Sequence, residues 1–198
     1  MWFSFSTNIL IFVTALILFF VYRKGSISLY YQLFVALIGL SSFLAAFGHL
    51  PIIEKPLSSQ LLYFSRLLNF ASVFAFISGT LMFFNYWQSN IMRLLNVTVF
   101  FVFVTWLSFD NVFTPVIIYS LMGILVIGVW SYVNNYNAHR DAAIRVIFGI
   151  VLLLLSAIVF TLFKSNDNSV AADIGHVLVS LSLVTFMAGF NKLKVYEN

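Results

Sequence analysis

The chain contains no cysteine and very little charge: ten Lys and Arg, six Asp and Glu, 8% of its 198 residues. Without cysteine there is no disulfide, no thiolate metal site and no cysteine nucleophile. A soluble domain carries about 25% charged residues and roughly 45–50% apolar ones, whereas this chain is 62% hydrophobic, with a mean hydropathy of +1.04. A core of this size cannot hide so much Leu, Ile, Val and Phe, because a small domain leaves much of its surface in water. A soluble enzyme, a nucleic-acid module and a disordered tail are thereby excluded, and a polytopic membrane protein remains. The apolar runs are continuous and do not alternate with period two, so a β-barrel is excluded as well.

A spanning helix needs about 20 largely apolar residues. Such stretches occur at Thr7–Tyr22, Ser28–His49, Ser58–Asn85, Asn90–Ser108, Val112–Asn134, Asp141–Lys164 and Asp173–Phe190. They predict an all-α, seven-helix transmembrane bundle that uses residues 1–198 as one domain. Arg23 and Lys24 follow the first apolar run. A cleavable signal peptide has its charges before that run, so this segment reads as a true first helix.

Lys and Arg bias cytoplasmic loops. With the N-terminus outside, the inner side collects Arg23, Lys24, Arg93, Arg140, Arg145, Lys192 and Lys194, and the outer side only Lys55, Arg66 and Lys164. The expectation is N-terminus outside and C-terminus inside, in a bacterial inner membrane, with membrane lipids as partners and no nucleic acid. Small residues such as Gly39, Gly79, Gly123 and Gly128 suit helix contacts, within the bundle or against a partner membrane protein. Trp87, Trp106, Trp130 and Tyr22 fall near span ends, where aromatic belts sit.

Ionisable groups inside lipid are costly and mark functional candidates. Histidine occurs three times. His139 is expected to be a solvated loop residue. His49 closes the second span and His176 lies one turn into the seventh, so the topology places both near the outer face. Asp173, three residues before His176, projects from the same side of its helix. Arg66 and Asn69 lie near the start of the third span, and Ser42 shares a stripe of the second with His49. One layer thus gathers His49, Arg66, Asp173 and His176. Two readings follow. In one, Arg66 pairs with Asp173 and the histidines bond across helices, roughly 0.6–2 kcal/mol per bond. In the other, His49, Asp173 and His176 supply the two imidazoles and one carboxylate of a Zn²⁺ site, whose bound water would ionise near pH ~7.

The seven-helix count, a Ser and His on the second span and a His motif opening the seventh resemble the superfamily of alkaline ceramidases and adiponectin-receptor-type proteins. The nearest likeness is to small bacterial members with a degenerate zinc motif. The resemblance implies a Zn²⁺-dependent hydrolase of a lipid amide or ester at the outer-leaflet side. It matches His49 to the ligand of the second span and His176 to the second His of the seventh. Ala172 stands where the first His of that pair would be, and the third span offers Gln60, Arg66 and Asn69 in place of an Asp. As an enzyme, the protein would use Ser42 to orient a ligand or water, and Arg66 to hold a head-group phosphate or a developing oxyanion. The alternative is a non-catalytic receptor, sensor or complex subunit whose polar cluster is structural or holds an anionic ligand. A retinal protein would need a lysine midway along the seventh span, and a proton-driven transporter acidic groups at mid-bilayer; neither is present.

Overall fold

The protein is described here from a computed structural model covering residues 2–23, 28–84, 89–109, 114–163 and 169–193. Seven of its helices are long and apolar enough to cross a membrane. They are α1 (Trp2–Tyr22), α2 (Leu29–Gly48), α3 (Lys55–Phe83), α4 (Asn90–Phe109), α5 (Thr114–Asn134), α6 (Arg140–Phe163) and α7 (Ser169–Phe190). Among the described residues there is no strand. Lys24, Asn85, Trp87, Val112, Lys164 and Lys194, all named above, lie outside the described residues.

The helix ends differ from the apolar stretches where local chemistry extends or stops a helix. Pro51 disfavours helical geometry in the residue before it, so α2 ends at Gly48 and His49 caps it, its N–H bonded to the Ala45 and Ala46 carbonyls. Helix α3 starts at Lys55, earlier than the apolar run, because Pro56 fits the first turn, where no N–H is needed. With 29 residues, α3 exceeds what a hydrocarbon core requires at about 1.5 Å per residue. Helix α5 is α-helical over Thr114–Ser120, π-helical over Leu121–Val129 and α-helical again to Asn134.

Six helices form a closed ring, with α1 between α2 and α7, α2 against α3, α3 against α5, α5 against α6 and α6 against α7. Helix α4 lies outside this ring on α3 and α5. Small residues sit where helices approach. A Cβ on Gly39 would lie 2.6 Å from Ala15 Cβ, and one on Gly123 would lie 2.6 Å from Ile77 Cδ1. Gly79 faces Tyr31 of α2 and Gly128 faces Phe76 of α3, so all four of these glycines serve contacts within the bundle.

Away from the N-terminal side, α2, α3 and α7 meet in an aromatic core. Tyr31 stacks on Phe190 with ring centroids 3.8 Å apart, and Phe34, Phe76 and Phe186 close around them. The Tyr31 hydroxyl lies 3.1 Å from that of Tyr132 and 3.4 Å from Thr80 Oγ1, tying α2, α5 and α3 together. Trp106 and Trp130, near opposite ends of α4 and α5, face outward from the bundle. His139 is half-buried, edge-on to Phe83 and Phe84 with centroids 5.2 and 6.0 Å away. It packs under the end of α3 and is not the solvated loop histidine that its polar neighbours suggest.

Candidate functional site

On the N-terminal side, the starts of α1, α3 and α7 and the end of α2 share one layer. Asp173 and His176, on one face of α7, both reach Thr7 of α1. The Thr7 hydroxyl donates to Asp173 Oδ1 at 3.2 Å and lies 3.1 Å from His176 Nδ1. A hydroxyl has one proton and lone pairs to spare. With the proton directed at the carboxylate, the oxygen is left to accept from Nδ1 in the tautomer that carries its hydrogen there. Behind it, the Phe160 ring of α6 meets the imidazole edge-on at 5.1 Å. Gly175 makes room for that ring: a Cβ there would lie 2.7 Å from Phe160 Cζ. Ser156 Oγ donates to the Gly175 carbonyl at 2.9 Å and Ser180 Oγ to the His176 carbonyl at 3.1 Å, which fixes the first turns of α7.

The second polar group joins α2 and α3. Asn69 Nδ2 donates to Ser41 Oγ at 2.7 Å, and Ser41 Oγ donates to the Ser65 carbonyl at 2.8 Å. Ser58 Oγ donates to the Gly48 carbonyl at 2.6 Å, closing the corner between the helices. Ser42 is buried, but its neighbour Ser41 makes these interhelical bonds. Arg66 is half-buried on α3 and His49 is exposed at the end of α2. Desolvation at this rim, and then the positive charge of Arg66, hold the His49 imidazole below its ordinary pKa. Both effects disfavour the imidazolium.

The residues singled out from the sequence therefore fall into two close sets: Asp173 with His176, and His49 within the field of Arg66. A zinc centre needs three or four donors converging on one point. Among the described residues, no three His, Asp or Glu side chains gather in that way, and Asp173 Oδ1 and His176 Nδ1 are turned to the Thr7 hydroxyl. Thr7 carries no motif, and its role emerges only because α1 lies against α7. The one signal in the sequence is the polar run Ser6-Thr7-Asn8 inside an apolar helix, where a hydroxyl or amide needs a partner.

The chain belongs to a family of unknown function (DUF6962), whose model matches residues 3–195. No curated protein and no solved structure matches it.

Proposed function

We propose that this family member is a non-catalytic binding protein of the membrane, a receptor, sensor or complex subunit, whose buried polar groups fasten its helices. The observation that carries this reading is the Thr7 hydroxyl, engaged with Asp173 and His176 at once. A carboxylate and an imidazole bonded across two helices act as an interhelical clamp, the usual role of polar side chains in such bundles. The excess of Lys and Arg at the opposite end supports an orientation with the N-terminus outside. The clamp then lies toward the outer face of a bacterial inner membrane, among membrane lipids.

The hydrolase reading has one observation in its favour. Ligating histidines donate their second ring N–H to an oxygen, which orients the ring, and the Thr7 hydroxyl oxygen, 3.1 Å from His176 Nδ1, stands where it could accept that bond. In that reading His49, Asp173 and His176 would hold Zn²⁺, Ser42 would orient water, and Arg66 would bind a head-group phosphate. Metal analysis of the protein purified in detergent separates the two. The binding reading expects substoichiometric zinc, unchanged in a His176→Ala variant. Stoichiometric zinc that disappears in that variant overturns it.

A further inference from the structure

Helix α4 stands outside the ring of six, and between it, α3 and the π-helical part of α5 lies a cavity of about 150 Å³. It is found toward the end of the bundle opposite the Thr7 clamp. The last turns of α3 supply Ile77 and Leu81, the first turns of α4 Met92 and Leu95, and the π-helical stretch Met122 and Val126. No charged side chain contributes to the walls. Of the two polar members, Asn96 is buried and donates to Ser78 Oγ at 3.1 Å, and Tyr119 is buried against Phe70 and Phe103. The surface offered to an occupant is hydrocarbon.

The cavity opens on the bilayer, because Leu95, Met122 and Val126 in its walls are 55%, 47% and 61% exposed on the outside of the bundle. Met92 and Met122 are two of the chain's five methionines, and the flexible methionine thioether adapts to occupants of varying shape. A volume of about 150 Å³ holds a benzene ring, roughly six carbons. That admits part of one acyl chain, but no helix, whose diameter is about 10 Å.

A positive charge stands at one end of this apolar seat. Arg93 is exposed in the first turn of α4, next to Met92 and three residues before Asn96, on the same side of the helix as the latter. Val99, which also lines the cavity, follows Arg93 at a distance of about 9 Å along the helix. An arginine near a helix end lays its stem on apolar surface and holds its guanidinium at head-group level, where it attracts anionic lipids.

We infer that the cavity seats one acyl chain of an anionic glycerophospholipid from the surrounding bilayer, with the head-group phosphate paired to the Arg93 guanidinium. The inference goes beyond the reading of the Thr7 clamp. It uses other residues and holds whether or not the opposite end of the bundle binds a metal.

The test is native mass spectrometry of the full chain in mild detergent, titrated with phosphatidylglycerol or with phosphatidylcholine of the same acyl chains. One phosphatidylglycerol per chain is expected to bind more tightly than phosphatidylcholine, and Arg93→Gln to weaken it by roughly fivefold. Arg145→Gln removes an exposed arginine from the early turns of α6, outside the cavity walls, and should leave that affinity unchanged. A phosphatidylglycerol carrying a photoreactive diazirine in the upper half of one chain then places the occupant, with cross-links expected on Met92, Leu95, Met122 and Val126. The cross-linking uses the unaltered chain, so its result stands whatever a variant does to folding. Equal affinity for the two lipids, the same loss in Arg145→Gln as in Arg93→Gln, or cross-links spread evenly over the outer faces of α1, α4 and α6 overturns the inference. Stoichiometric zinc would overturn the non-catalytic reading and leave this one standing.

Discussion

Thr7 shows what one hydroxyl can do between two largely apolar helices, meeting Asp173 and His176 at once. In lipid there is little hydrophobic force between helices, so packing and hydrogen bonds carry their association. Thr7→Val keeps the shape and removes both bonds to α7. It should lower stability in detergent by roughly 1 kcal/mol, read from unfolding in a denaturing surfactant. A loss within error would show that the clamp contributes nothing. His49 makes a second prediction. Its pKa is depressed below 6.5 by desolvation and by Arg66. As pH falls through 6.5 the unfolded chain takes up a proton that the folded one refuses, so stability declines until the lower folded pKa is passed. An NMR titration should place the His49 midpoint below 6.5, and Arg66→Gln should move it upward; an unmoved midpoint would remove Arg66 as a cause. The histidines and Arg66 were legible as candidates because ionisable groups are rare in such a chain. Ser41 rather than Ser42 meets α3, and that depends on helix rotation, which a uniformly apolar helix does not encode.

At the scale of elements, close approach decides. Gly39 of α2 sits against Ala15 of α1, where an added Cβ would come within 2.6 Å of a Cβ that has no rotamer to escape into. At Gly48 the added atom would meet Leu62 Cδ2 and Cγ, both at 2.9 Å, atoms that move when the leucine changes rotamer. Gly39→Ala should therefore cost about 1–3 kcal/mol, and Gly48→Ala clearly less, in thermal unfolding of the detergent-solubilised protein. Equal effects would mean that α1 and α2 separate without resistance. Both glycines can be read from the sequence as small residues, but not which neighbour each one faces. The same holds for α5. Its apolar run predicts one helix, and the π-helical middle, which carries Gly123 and Gly128 against Ile77 and Phe76 of α3, is not written in that run.

For the whole molecule, seven helices long and apolar enough to cross a membrane would, with each crossing once, put Trp2 and Leu193 on opposite sides. The absence of native cysteine makes this easy to test. Ile52, 75% exposed between α2 and α3, and Asn137, exposed between α5 and α6, lie at opposite ends of the bundle. Ile52→Cys should react with an impermeant maleimide in intact cells and Asn137→Cys only after lysis; the reverse pattern would invert the orientation. Arg23, at the end of α1 with its guanidinium 5.7 Å from the Phe20 ring, suits an inner interface, where such side chains lay their stems on apolar surface and keep their charge in water. By itself the sequence determined the number of helices long and apolar enough to span and their approximate limits. These are local consequences of a hydrocarbon core about 30 Å thick, which each helix must cross with its own apolar residues. Only the tertiary structure decided which helices touch: that α1 lies between α2 and α7, bringing Thr7 to Asp173 and His176, and that α4 stands outside the ring beside a cavity. The reason is physical. A helix apolar on every side presents no preferred face to its neighbours, and its partners are chosen by the fit of small residues and a few hydroxyls across the interface.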